Sequence, residues 1–142
     1  MLDTNVVLDL TVFADPGVAA LRRGLDDGTL HALVNAQTLE ELRLVLAYPR
    51  LGCDAAAQAA ALDWYAGRAT RVAEPPEDDP RPESRCPLRC RADPDDQKFL
   101  DLAWRAGARW LISKDKALLM LARAAARHGR FAIVAPADFP AA

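Results

Sequence analysis

Residues 93–115, DPDDQKFLDLAWRAGARWLISKD, constrain the fold more than any other stretch. Asp93-Pro94 marks a helix start: aspartate accepts from free N–H groups as the N-cap, and proline suits the first helical position. Phe99, Ala103 and Ala106 recur at helical spacing, with Leu100 and Leu102 beside them, and Gly107 ends the run. Stepping back three residues from Phe99 puts Asp96 on the core-facing stripe, at the positive end of the helix dipole. Trp110, Leu111 and Ile112 then form a short strand, and Asp115 follows three residues later. A carboxylate on an inward helical face and another just past a strand raise the question of what positive charge lies between them.

The rest of the chain alternates in the same way. The opening MLDTNVVLDL reads as a strand ending at Asp3, of which only Met1 and Leu2 precede the aspartate. A buried strand usually needs about five residues, so the strand is either stunted or continues upstream. Asp15-Pro16 repeats the helix-start signal, and that helix runs through Leu21 and Leu25 to Gly28. Leu30 to Val34 reads as a strand. A helix starting at Asn35 or Thr38 carries Leu42, Val45 and Leu46 inward and stops at Pro49. Asp54 caps an Ala-rich helix that ends at Gly67, and Arg71 to Ala73 reads as a brief strand. From Glu74 to Arg91 the run EPPEDDPRPESRCPLRCR offers little to bury and reads as a long surface loop within one domain, 1–142. Ala117 to His128 reads as one helix with Leu118, Leu119, Leu121 and Ala125 inward, Phe131 to Val134 as the last strand, and Pro136 to Phe139 as a helical turn. Strands alternating with helices predict an α/β fold, a parallel sheet covered on both faces.

Composition narrows the function. The 142 residues carry a formal net charge of −2, so no overall basic field marks a nucleic-acid binder, although acidic ligands would mask local basic patches. Three cysteines fit a reducing compartment better than a disulfide framework. With no membrane-length apolar run and no signal-peptide pattern, the expectation is a cytoplasmic protein without a membrane partner.

Four carboxylates fall at equivalent places: Asp3 at the end of the first strand, Glu41 and Asp96 near helix starts, and Asp115 after a strand. In an open parallel sheet, strand ends and helix beginnings share the edge where ligands bind. Converging carboxylates repel unless protonated or paired with a cation. Hard oxygen donors favour Mg²⁺ or Mn²⁺, which hydrolyse phosphodiesters by activating water and stabilising the leaving oxygen. No nucleophile–base pair and no Gly-rich phosphate loop competes with this reading.

The segments LDTNVVL, LEELRLVL, DPDDQKFLDLAWRAGARWLISKDKALL and APADF resemble PIN domains over nearly the whole chain, most of all the toxin components of bacterial toxin–antitoxin pairs. The third segment is the most specific. The resemblance implies a three-layer α/β/α sandwich with a mostly parallel central sheet. It also implies an Mg²⁺- or Mn²⁺-dependent endoribonuclease acting on RNA, a cognate antitoxin and a homodimer. It puts the metal-binding, catalytic acids on Asp3, Glu41, Asp96 and Asp115. The family's usual Thr-Gly before the last aspartate is Ser113-Lys114 here. Ser113 keeps a hydroxyl that can orient a ligand, and Lys114 adds a charge.

Simpler readings stand beside these. Thr38-x-x-Glu41 is also a capping box; spacing divides evenly between cap and ligand, and the resemblance favours the ligand. Asp93 reads as a cap and Asp95 as solvated. Asp115 could cap the next helix. Thr4, Asn5 and Ser113 fit turns, or support for a carboxylate or water. Arg43, Lys98, Lys114 and Lys116 neighbour the acids in sequence and are the candidates for RNA phosphates. Cys86 and Cys90, with Cys53, His31 and His128, make a poor zinc set, and Trp64, Trp104 and Trp110 fit packing or an interface. Two rivals follow: a PIN-fold RNA- or protein-binding module with weak or lost catalysis, and a metal-dependent phosphatase. The phosphatase ranks low, because Asn5 stands where its second aspartate is needed.

Overall fold

The computed structural model describes residues 1–140. Asp3 accepts from the Val6 amide and so caps helix α1, Thr4–Thr11. Val6, Val7 and Leu10 are buried on this helix. A 3-10 turn after Asp15 leads into α2, Ala19–Asp26, and then strand β1, Ala32–Val34. Helix α3, Ala36–Leu46, and helix α4, Ala55–Ala66, precede strand β2, Ala69–Arg71. This strand lies two residues earlier than the sequence suggests.

A 3-10 turn at Pro94–Asp96 opens helix α5, Gln97–Arg105, and Gly107 takes the left-handed conformation that reverses the chain (φ 63°). Strand β3, Trp110–Ile112, follows. The single helix expected over 117–128 is two, α6 at Lys116–Leu119 and α7 at Ala122–His128, broken at Met120 and Leu121. The break leaves Leu118 and Ala125 buried while Leu119 and Leu121 are only half-buried. Strand β4, Ala132–Val134, and a 3-10 turn at Pro136–Asp138 complete the described chain.

The central layer is two parallel pairs, β1 with β2 and β3 with β4. The opening residues run beside β3. Ile112 N–H donates to Met1 O at 2.9 Å and Asp3 N–H to Ile112 O at 3.1 Å. Strand residues alternate between two cores, as a period of two requires. Leu33, Leu111 and Ile133 join one core with α5, α6 and α7. Ala32, Val34, Trp110 and Ile112 join the other with α1, α2, α3 and α4. The chain is therefore an α/β fold with helices on both faces of its strands.

The 74–91 stretch is the expected loop, mostly at the surface over 74–85, but its last part departs from that reading. Cys86, Leu88 and Cys90 are buried in the first core while Pro87 and Arg89 between them are exposed. Gln97 at the start of α5 pins this strap: its Nε2 donates to Leu88 O at 2.9 Å and its Oε1 accepts from Cys90 N–H at 2.8 Å. Cys86 and Cys90 are free thiols used in packing. Among the described residues no single helix is long and apolar enough to cross a membrane.

Leu111 is fully buried where β3 meets the first core. Leu111→Ala should cost about 2–5 kcal/mol in urea unfolding, whereas Met120→Ala, at a side chain 70% exposed, should stay within about 0.5 kcal/mol. Equal effects from the two would contradict this packing.

Candidate metal centre

The carboxyl ends of the strands and the starts of the following helices share one edge. Asp3 lies between Leu2 and α1, and Asp115 lies between β3 and α6. Asp96 closes the 3-10 turn that opens α5. Carboxylate oxygens of Asp93, Asp96 and Asp115 lie within 4.8 Å of one another. Asp93, which reads from sequence as a cap, does accept from Asp95 N–H at 3.1 Å, yet it also joins this group. Its DPDD spacing, three residues before Asp96, was the available signal.

Asp3 stands behind these three and is joined to them through Ser113. The buried Ser113 hydroxyl donates to Asp3 Oδ2 and accepts from Asp115 N–H at 2.9 Å. One hydroxyl thus ties the first acid of the chain to the backbone of the last. Asp115 also caps α6 through Ala117 N–H at 2.8 Å, so one of its oxygens has the capping role foreseen as an alternative.

Glu41 sits at the flank. The Thr38-x-x-Glu41 box does not form; Asn35 and Thr38 cap α3 reciprocally instead. The two oxygens of Glu41 are taken by the Thr4 hydroxyl and by Lys98 Nζ, the latter at 2.8 Å. Thr4 therefore has a polar partner in the site, whereas Asn5 is exposed on the first turn of α1.

The basic candidates are dispersed. Arg43 is exposed and paired with Glu40 at 2.6 Å. Lys98 is only 10% exposed. Lys114 Nζ lies 2.5 Å from Oδ2 of the buried Asp9, an acid that sequence reasoning did not single out. Lys116 is exposed at the start of α6. The tryptophans are engaged in packing: Arg22 and Arg68 lie over Trp64, and Trp110 meets Phe139 edge-on. Trp104 meets His128 in the same manner.

The electrostatics of the edge follow from burial and crowding. Burial lifts the Asp96 carboxyl from its ordinary 3.8 to about 7, and the neighbouring Asp115 carboxyl adds to the rise, with Asp93 and Asp3 behind it. Burial also raises Asp3, against the opposing hydrogen bonds from Ser113 and Val6. Oδ2 of Asp96 is buried with no hydrogen-bond partner. None of the ion pairs among the described residues reaches Asp3, Asp93, Asp96 or Asp115. An all-oxygen donor set with a buried, orphaned carboxylate oxygen fits a hard divalent cation. Among the described residues, no cysteine or histidine belongs to a metal-ligand group.

A family model described as PIN domain matches residues 1–117. Neither the curated proteins nor the solved structures give a match.

The raised Asp96 value has a stability consequence. Its folded value lies above its unfolded one, so its contribution to stability is complete below about pH 4 and is lost as pH rises through about 7. In EDTA, Asp96→Asn should remove that decline and raise the thermal midpoint at pH 7.5 by roughly a few degrees; solvent screening at a half-exposed carboxyl limits the gain. Parallel pH profiles for the two proteins would contradict the assigned environment.

Proposed function

The chain belongs to the PIN domain family, whose members are in general metal-dependent nucleases, and on that premise we propose that it is an Mg²⁺- or Mn²⁺-dependent endoribonuclease, the toxin of a toxin–antitoxin pair. The observation that carries the metal-dependent reading is the gathering of Asp93, Asp96 and Asp115 within 4.8 Å around a buried, partnerless Asp96 oxygen. Carboxylates crowded in this way lose their repulsion to a shared divalent ion. RNA as substrate, an antitoxin and a second copy of the chain as partners rest on the family resemblance of the sequence.

In this proposal Asp3, Asp96 and Asp115 hold the ion, and Asp93 lends an oxygen at the rim. When bound, Mg²⁺ or Mn²⁺ supplies Lewis acidity toward a phosphodiester and lowers the pKa of water. The reaction is hydrolysis: a water oxygen forms a bond to phosphorus and one ester P–O bond breaks. Ser113 keeps Asp3 and the Asp115 backbone in register, which preserves the donor set between turnovers. Lys116, exposed beside Asp115, brings positive charge for RNA phosphates, whereas the Lys114 ammonium is already paired with the buried Asp9.

A 5′-labelled single-stranded RNA should be cut in Mg²⁺ or Mn²⁺ and left whole in EDTA. Asp96→Asn should reduce cutting to background while circular dichroism shows the fold intact. Ser113→Ala, which removes only the bridge, should lose on the order of 10–100-fold. Undiminished cutting by a folded Asp96→Asn protein would refute the assignment.

A further inference from the structure

Among the described residues, Lys98 is the one lysine ion-paired with an acid of the candidate site, and it is shielded from water. Its side chain is 10% exposed, and its Nζ lies 2.8 Å from Glu41 Oε1 and 2.6 Å from the Asp95 carbonyl oxygen. The Phe99 ring centroid is 5.2 Å from the same Nζ. A charge so far removed from water persists only when paired and hydrogen-bonded. Glu41 is correspondingly occupied: one oxygen faces Lys98, and the other accepts from Thr4, the residue next to Asp3. The balance of charge along this edge is uneven. Glu41 has its own cation, while Asp3, Asp93, Asp96 and Asp115 have no ion-pair partner among the described residues.

We propose that Lys98 occupies the place of a second cation. Its ammonium neutralises Glu41, so Glu41 is a positioning residue that steadies the Asp3–Thr4 turn, and a single divalent ion goes to the aspartates. This inference rests on the metal-dependent reading of the site. It also explains the position of Lys98, two residues after Asp96 on the same helix start: one turn delivers both an acid for the ion and the counter-charge that keeps Glu41 out of the donor set.

Manganese is the probe. Electron paramagnetic resonance titration of the full chain counts bound Mn²⁺ without RNA turnover. The unmodified protein and Glu41→Gln, whose amide oxygen can still accept from Thr4, should each bind one ion, with affinities within about the tenfold that marks loss of an outer-shell partner. Lys98→Met should bind two ions, and the count should return to one in Lys98→Arg and in the double variant Lys98→Met/Glu41→Gln. Two ions in the unmodified protein, one ion in a folded Lys98→Met, or a loss above about tenfold in Glu41→Gln would each overturn the inference. If Lys98→Met does not fold, the Glu41→Gln result decides. No Mn²⁺ uptake by the folded unmodified protein would overturn the metal-dependent reading itself, and this inference with it.

Discussion

Like charge held at close quarters is the constraint that the other features answer to. Three carboxylate oxygens within 4.8 Å, with Asp3 close behind, would separate if the backbone allowed it. The backbone does not allow it, because three of the four acids are fixed by the element that each begins. Asp3 caps α1, Asp93 caps the 3-10 turn before α5, and Asp115 caps α6. In each case a carboxylate oxygen accepts from an N–H group that a helical start leaves unpaired. Asp96 is the exception. It has no such bond, and its carboxyl rises to about 7. The acid with least local support is therefore the one that most needs a cation.

The fold supplies the rigidity that this arrangement demands. Strand β3 contributes Leu111 to one core and Ile112 to the other, so it is clamped on both faces immediately before Ser113 and Asp115. The first residues of the chain are bonded to the same strand and deliver Asp3 beside Ser113. On the far side, Gln97 ties the strap at Leu88 and Cys90 to the helix start that bears Asp96. Asp3 and Asp115 are thus one or two residues from a buried, hydrogen-bonded anchor, and Asp96 adjoins the half-buried Gln97 that holds the strap. Such preorganisation favours a fixed geometry over one assembled by the substrate.

Much of this was legible in the sequence, for reasons visible residue by residue. Asp-Pro starts, the helical stripe from Phe99 to Ala106, and the Trp110–Ile112 run are local signals, and they placed α2, α5 and β3. Helix α1 carries a weak local signal: Val6 and Leu10 are four residues apart, but Val7, Leu8 and Asp9 are buried as well, so no polar face marks the helical period. The inward alternation of Cys86, Leu88 and Cys90 was hidden by proline and charge around it. The break between α6 and α7 has no proline or glycine to announce it. Pairings across the chain, such as Lys98 with Glu41 and Lys114 with Asp9, depend on tertiary placement and leave no periodic trace. Asp93 shows a related limit, because a residue that makes a good cap can also face the site.

The most direct measurement is the anomalous difference density of a crystal soaked in Mn²⁺. One peak per chain, bonded to the carboxylates of Asp96 and Asp115, is the result that the account predicts. No peak at saturating Mn²⁺, or a peak ligated only by residues outside Asp3, Asp93, Asp96 and Asp115, would contradict it.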